Sequence, residues 1–188
     1  MKLVVGLGNP GDNHKNDRHN VGFALLDKLC FEREVKLREN RKFKAMEGVD
    51  SFGIRYLKPL TYMNASGNSV QMFAEYYRID PELILVIHDE LDLLAGEIKL
   101  KRGGGTGGHN GLRSIEQHLS SKDYCRIRIG IGRPRRGQNV TSYVLNPPNQ
   151  EQSRAIDTGA QRVVEHINVL LLGCFDRAMN ILNQRIMS

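Results

Sequence analysis

The chain has only three cysteines and no apolar run long enough to cross a membrane. No stretch approaches the roughly 20 consecutive apolar residues that a membrane span needs. A strand-like run begins at once, with none of the features of a secretion signal, so we expect no export. Cys30, Cys125 and Cys174 are widely spaced and form no Cys-x-x-Cys pair. These absences predict a cytoplasmic protein with ordinary reduced thiols and no membrane partner.

Several catalytic motifs are also missing. No Gly-x-Ser-x-Gly is present to hold a nucleophilic serine, and no cysteine lies in a sequence that suggests activation. His19, His88, Asp89 and His109 could all bind zinc, but no His-Glu-x-x-His or other compact spacing favours it. The alternative is a metal-free mechanism in which a histidine activates water and a carboxylate fixes its tautomer. The residues alone leave both mechanisms open.

One motif is present but fits poorly. Residues 6–11, Gly-Leu-Gly-Asn-Pro-Gly, have the spacing of a dinucleotide-binding loop after a strand. Such a loop must lead directly into a helix whose N–H groups face a pyrophosphate, whereas Pro10 lacks an N–H and a polar stretch follows. The nearest acid at the distance where a ribose would be bound is Asp27, inside a predicted helix. We therefore expect the glycines to shape a turn that presents the side chain of Asn9, with His19 beyond it.

The net charge of +6 favours a polyanionic partner, though only modestly. Cations are concentrated in four short segments, residues 41–44, 101–102, 126–128 and 133–136. Each could be a solvated loop or strand end, but four of them together favour nucleic acid. A nucleotide-dependent oxidoreductase and an RNA-binding module without catalysis are the alternative functions.

The spacing of apolar residues predicts an α/β protein. The predicted strands are residues 2–7, 43–50, 52–58, 83–87, 97–100 and 124–131. The predicted helices are residues 21–29, a segment capped by Asn64 or Ser66, residues 112–119, a long helix after the loop at 146–148, and residues 175–185. Nothing divides the chain, so we expect a single three-layer domain over residues 1–188, with a twisted, mixed and mostly parallel sheet flanked by helices on both faces.

Polar side chains recur where the predicted strands end. Asn9 and His19 follow the first strand, the pair His88-Asp89 follows a central strand, and His109-Asn110 follows the glycine-rich stretch. Any one of these could be a turn former or a surface residue. Loops at the carboxyl ends of neighbouring strands can converge on one crevice, however, so together they predict a site.

Five segments resemble the bacterial-type peptidyl-tRNA hydrolase family: residues 5–11 with 18–22, 58–67, 88–92, 103–111 and 126–134. They occur in family order over nearly the whole chain. The resemblance implies hydrolysis of the ester between a peptide and the 3′-terminal ribose of tRNA, which recycles tRNA from abortive translation. It also implies a carboxylic ester hydrolase that needs no metal or other cofactor. The enzyme would act as a cytoplasmic monomer, without an obligate protein partner, on the acceptor stem and 3′ end of peptidyl-tRNA.

The resemblance also assigns roles to individual residues. His19 matches the base that activates water, and Asp89 matches the carboxylate that partners it. The substrate-binding positions are Asn9, His14, Met63, Asn64 and Asn110, with histidine at 14 where the family commonly has tyrosine. Lys101 and Arg128 match a cationic clamp on the 5′-phosphate of the acceptor stem.

Overall fold

A seven-stranded mixed sheet forms the centre of the computed structural model, which describes residues 1–184. The strands are β1 (Leu3–Gly6), β2 (Arg38–Asn40), β3 (Ala45–Val49), β4 (Arg55–Pro59), β5 (Ile84–Glu90), β6 (Ile98–Arg102) and β7 (Cys125–Gly130). Their order across the sheet is β2-β3-β4-β1-β5-β7-β6. The central strands β4, β1, β5 and β7 are parallel, whereas β3 and β6 run antiparallel to their neighbours. The predicted mixed, mostly parallel sheet is confirmed.

Helices cover both faces of this sheet. They are α1 (Val21–Glu32), α2 (Ser66–Tyr77), α3 (Asn110–Leu119), α4 (Val140–Val144), α5 (Gln150–Leu171) and α6 (Phe175–Leu182). One core cluster joins the sheet to α1, α5 and α6, and a second joins its other face to α2 and α3. The three predicted layers are therefore present. Arg185, the predicted end of the last helix, lies outside the described residues. Within residues 1–184, no helix is both long and apolar enough to cross a membrane.

The two central strands are buried along their length. All four residues of β1 and the first six of β5 are buried, because helices cover both faces of the sheet. His88 and Asp89 belong to β5 itself and do not follow it. The sheet thereby carries two polar side chains into its interior at the carboxyl end of a central strand.

The start of α2 differs from the prediction. Neither Asn64 nor Ser66 caps this helix, because a one-turn 3-10 helix, Met63–Ala65, leads into it and the N-cap residue Ala65 makes no side-chain bond. Asn64 lies within that turn, and its side chain is left available for other contacts.

Candidate active site

His19 and Asp89 form a buried pair at the carboxyl end of β5. His19 lies in a one-turn 3-10 helix, Arg18–Asn20, directly before α1. The Nδ1 atom of His19 donates to Oδ1 of Asp89 over 2.8 Å, and only 3% of the Asp89 side chain is exposed. This bond makes Nε2 of His19 the proton acceptor of the neutral ring. Nε2 has no hydrogen-bond partner within residues 1–184, so the structure leaves the basic nitrogen free.

The pair favours a charged histidine beside an ionised carboxylate. Burial opposes charge on His19, but the Asp89 carboxylate and the charge of Asp17 more than offset this, so the pKa of His19 is raised. Burial likewise opposes ionisation of Asp89, yet His19 and His109 hold its pKa far below the usual range. Asp89 therefore stays ionised wherever His19 titrates, and it stabilises the imidazolium.

Asn9 is fixed beside this pair by three hydrogen bonds. Its Oδ1 accepts the Met63 N–H over 2.8 Å, its N–H donates to Oδ1 of Asn20 over 2.9 Å, and its carbonyl accepts from Nδ2 of Asn20 over 2.9 Å. Asn20 directly follows His19, so these bonds also orient the turn that carries the histidine. The Nδ2 atom of Asn9 makes no hydrogen bond within the described residues, and it can donate to a ligand.

The glycines of the N-terminal motif have two different roles. Gly11 alone among them has a positive φ, 99°, where an L side chain would be strained. Gly6 and Gly8 instead leave room for α1. A Cβ on Gly6 would lie 2.6 Å from the Gly22 carbonyl oxygen, and one on Gly8 would lie 2.6 Å from the Phe23 ring. The expectation of a glycine-shaped turn therefore holds for Gly11 but is wrong for Gly6 and Gly8.

An open groove of about 490 Å³ lies over the pair. Its polar lining includes Asn9, His19, Asn64, Asp89, His109 and Asn110, and its apolar lining includes Tyr62, Met63, Leu91, Val140, Val144 and Leu145. Tyr62 and Val140 are 66% and 48% exposed, so the apolar wall is open to a ligand. The groove thus brings together all of the sequence-predicted catalytic and substrate-binding residues except His14.

His109 bonds the same Asp89 oxygen as His19. Its Nε2 donates to Oδ1 of Asp89 over 2.9 Å. Its Nδ1 accepts the N–H groups of Gly111 and Leu112 over 3.1 and 3.3 Å, which makes His109 the N-cap of α3. α3 therefore begins two residues before its predicted start. The sequence marked His109 as a polar residue near a helix start, but it gave no signal for the bond to Asp89.

His88, the neighbour of Asp89, has no access to the groove. It is 1% exposed, and its Nδ1 donates to the Asp89 carbonyl over 2.7 Å. Burial, reinforced by the nearby His109, holds the pKa of His88 well below its ordinary value. His88 is therefore a neutral ring packed behind the site.

The glycine-rich loop reaches the site from the opposite end of the sheet. Because β6 runs antiparallel to β7, the loop starts beside Cys125, the first residue of β7. Arg126, which is 3% exposed, donates from Nη1 to the Gly105 carbonyl over 2.9 Å and from Nη2 to the Gly103 carbonyl. A buried cation needs such partners. Arg126 therefore supports the loop from beneath, and its prediction as part of a surface cation cluster is wrong.

Lys101 and Arg128 lie outside the groove, on adjacent strands at the same edge of the sheet. Lys101 is exposed, and no acidic group lies within 4.0 Å of it in the part of the chain that the structure describes. Arg128 donates from Nε to Oε2 of Glu90 over 2.9 Å. Lys101 thus presents its full charge, whereas Arg128 shares its charge with a carboxylate.

His14 does not line the groove. Its Nδ1 lies 2.8 Å from Oδ2 of the buried Asp17, in the 3-10 turns between β1 and α1. The substrate-binding role implied for residue 14 by the resemblance stays a prediction.

The donor atoms around Asp89 suit proton sharing better than metal binding. His19, Asp89 and His109 each offer one ligand atom, and these atoms lie within 4.8 Å of one another. Metal on Nε2 of His109 would require its proton to move to Nδ1, which already accepts two N–H groups. Coordination would therefore break the cap of α3.

Fold and groove together define a hydrolase of the three-layer α/β class and not a dinucleotide-binding protein. The sequence profile of the family described as peptidyl-tRNA hydrolase matches residues 3–188. A peptidyl-tRNA hydrolase of Nitrosomonas europaea is 46% identical over 98% of this chain and 96% of its own length. Another, of Neisseria meningitidis, is 43% identical over 98% of each chain. This chain belongs to the peptidyl-tRNA hydrolase family.

Solved structures agree with this assignment. The crystal structure of the enzyme from Acinetobacter baumannii superposes with a TM-score of 0.94 at 40% identity, over 97% of this chain and 94% of the other. A structure of a peptidyl-tRNA hydrolase with N-propanol gives a TM-score of 0.96 at 39% identity, over 100% of this chain and 97% of the other. The predicted fold class and family are confirmed.

Proposed function

We propose that this chain hydrolyses the ester between the peptide and the 3′-terminal ribose of peptidyl-tRNA, with His19 as general base. One observation carries this function. Nε2 of His19 is free in the groove, while Nδ1 of the same ring is held by a buried carboxylate. The activity named for the relatives supports the same substrate. We propose that the chain acts as a monomer in the cytoplasm, where translation takes place.

The reaction needs no protein nucleophile. Water in the groove gives a proton to Nε2 of His19 as its oxygen attacks the ester carbonyl. Asp89 stabilises the imidazolium that forms. The tetrahedral intermediate then breaks its bond to the ribose 3′-oxygen, which takes the proton from His19. The products are the peptide carboxylate and tRNA, and the solvent takes up the acid proton. A general base contributes about 10²–10⁴ in rate, which suits an activated ester.

Carboxamides are well suited to hold the reacting ester, because they donate hydrogen bonds without adding charge. The free Nδ2 of Asn9 lies in the groove beside His19, and Asn64 and Asn110 line the same groove. We assign Asn9 to the oxyanion of the intermediate, and Asn64 and Asn110 to the ribose and the attacking water. Met63 and the apolar wall then contact the peptide.

Asn9→Asp tests the assignment of Asn9. The carboxylate keeps an acceptor for the Met63 N–H but replaces the donor with a negative oxygen, so we expect kcat to fall by about 10²–10³. Steady-state hydrolysis of N-acetylaminoacyl-tRNA measures this. Asn13→Asp, an exposed residue with the same charge change, should keep full activity. A wild-type kcat for a folded Asn9→Asp protein would contradict the role.

Lys101 and Arg128 are proposed to hold the 5′-phosphate of the acceptor stem. Lys101→Ala should raise KM without lowering kcat, and it should reduce the slope of log KM against log salt by about 1, because one phosphate contact is lost. Lys36→Ala, an exposed lysine near β2 on the far edge of the sheet, is the matched control. An unchanged salt slope for Lys101→Ala would refute the clamp.

Incubation of the purified chain with peptidyl-tRNA and a chelator tests the proposal as a whole. Release of the peptide at an undiminished rate supports a metal-free hydrolase. Loss of cleavage that added zinc restores would favour a metal mechanism. Binding without cleavage in either condition would favour the RNA-binding alternative.

A further inference from the structure

His109 shares the Asp89 oxygen that holds His19. Oδ1 of Asp89 accepts from Nδ1 of His19 over 2.8 Å and from Nε2 of His109 over 2.9 Å. The two rings lie 4.9 Å apart, centroid to centroid. The proposed reaction uses His19 and Asp89, but it leaves the second donor on this oxygen without a role.

The start of α3 fixes the tautomer of His109. Because Nδ1 accepts the N–H groups of Gly111 and Leu112, it carries no proton, and the single proton of the neutral ring lies on Nε2, facing Asp89. A second proton would place an N–H against two backbone N–H groups at the positive end of the helix. In the neutral ring, the proton and the ring orientation are thus both directed at Asp89.

We propose that His109 is a positioning residue that shares the carboxylate of Asp89 with His19 and so limits how strongly that carboxylate holds the His19 imidazolium. A carboxylate oxygen that accepts two hydrogen bonds is a weaker acceptor for each of them. His19 then returns its proton to the leaving ribose oxygen more readily, and it stays a free base to lower pH. This inference rests on the proposed function, in which His19 gains and loses a proton in each cycle.

The charged and titratable groups around the two rings lie on β5 and directly before the 3-10 turn that carries His19. Asp89 on β5 and Asp17, which lies two residues before His19, both raise the pKa of His19. His109 faces Asp89 and also His88, whose ring centroid lies 5.0 Å away. A change confined to His109 leaves both carboxylates in place, so a shift in the titration of His19 reports on the shared oxygen.

His109→Asn separates the two functions of this side chain. Asparagine is among the best N-cap residues, so α3 keeps its start, but its shorter side chain cannot reach Asp89. With the second donor gone, Asp89 holds the His19 imidazolium more strongly and the pKa of His19 rises. We expect the acid limb of the kcat/KM profile to move to higher pH by about 0.5–1 unit. An acid limb at the wild-type pH, in a variant that melts at the wild-type temperature, would overturn the proposal.

Nitrogen NMR of the histidine rings tests the same inference without substrate. In the wild type, the neutral His109 ring should carry its proton on Nε2, and in His109→Asn the titration of His19 should shift upward by the same amount. A proton on Nδ1 of His109, or an unshifted His19, would contradict it. The spectra give this answer even if the chain cleaves no peptidyl-tRNA, so failure of the proposed function and failure of this inference are distinguishable.

His118→Asn is the matched control. His118 lies on the same helix and bonds the Ser114 carbonyl through Nδ1 over 2.8 Å, so its loss removes a histidine without touching Asp89. It should leave the His19 titration unchanged, and an equal shift would show that the effect is not specific to His109. If His109→Asn fails to fold, His109→Ser keeps a capping oxygen and should give the same upward shift.

Discussion

Replacement of His19 by alanine is expected to lower the kcat for peptidyl-tRNA hydrolysis by about 10²–10⁴-fold, the contribution of a positioned general base. The Nε2 atom of His19 is the free basic nitrogen of a ring that Asp89 holds through Nδ1 in the groove, and the alanine variant removes it. The affinity for tRNA should stay within about threefold of wild type, because the proposed phosphate contacts lie on β6 and β7. Single-turnover cleavage and tRNA binding, measured on the same preparations, separate the two effects.

Two further variants serve as a control and a comparison for His19→Ala. His166→Ala, a histidine of α5 that does not line the groove, should retain wild-type kcat. Asp89→Asn should lose less than His19→Ala, by about 10–100-fold, because the neutral amide can still accept from Nδ1 but no longer stabilises the imidazolium with a charge. A kcat within a factor of a few of wild type for His19→Ala would sink the assignment of the base.

The sequence predicted the parts of the fold that depend on local pattern. β1 and the first four residues of β5, Ile84–Ile87, are buried on both faces and continuously apolar, and α1 and α5 have apolar residues at helical spacing. β2 has only three residues, Arg38–Asn40, all polar and none buried, so no local pattern marks it. β2 exists because its backbone pairs with β3. The five-residue α4 is likewise too short for a periodic pattern to indicate it.

The candidate site was only partly predictable, for a topological reason. His19 and Asp89 are 70 residues apart, but both follow the rule that polar groups gather at the carboxyl ends of parallel strands. The loop that carries His109 breaks that rule, because it leaves an antiparallel strand at the other end of the sheet. Its path over Arg126 depends on two carbonyl contacts that no sequence spacing encodes.

The N-terminal glycine motif shows how one spacing can serve different physical purposes. A dinucleotide-binding loop uses its glycines to bring backbone N–H groups close to a pyrophosphate. Here Gly6 and Gly8 instead bring α1 close to the sheet, and the side chain of Asn9 is the group presented to the groove. Gly22 lies on the side of α1 that faces the sheet, and it packs against Gly6. The close approach matters to the site because His19 lies three residues before Gly22.

Gly22→Ala is therefore expected to destabilise the protein strongly. A Cβ at this position would lie 2.5 Å from the Leu7 carbonyl oxygen, 2.7 Å from the Leu7 nitrogen and closer still to the Ile87 carbonyl oxygen. These atoms belong to backbone hydrogen bonds that join β1 to β5 and to the start of α1, so they cannot move aside independently. Overpacking of this kind costs about 3 kcal/mol, which lowers Tm by about 6–12 °C in a chain of this size.

Gly105→Ala provides the matched control for that measurement. Nothing lies within 4 Å of a Cβ at Gly105, and its φ is not in the left-handed region, so the free energy of unfolding should change by about 0.5 kcal/mol or less. Gly22→Ala should also lose activity well below its Tm, because displacement of α1 moves His19 relative to Asp89, and a shift of about 1 Å can cost 10²-fold. Equal melting of Gly22→Ala and wild type would show that α1 can move away from the sheet at little cost. Gly6, Gly8 and Gly22 would then not be required for the packing of α1 on the sheet.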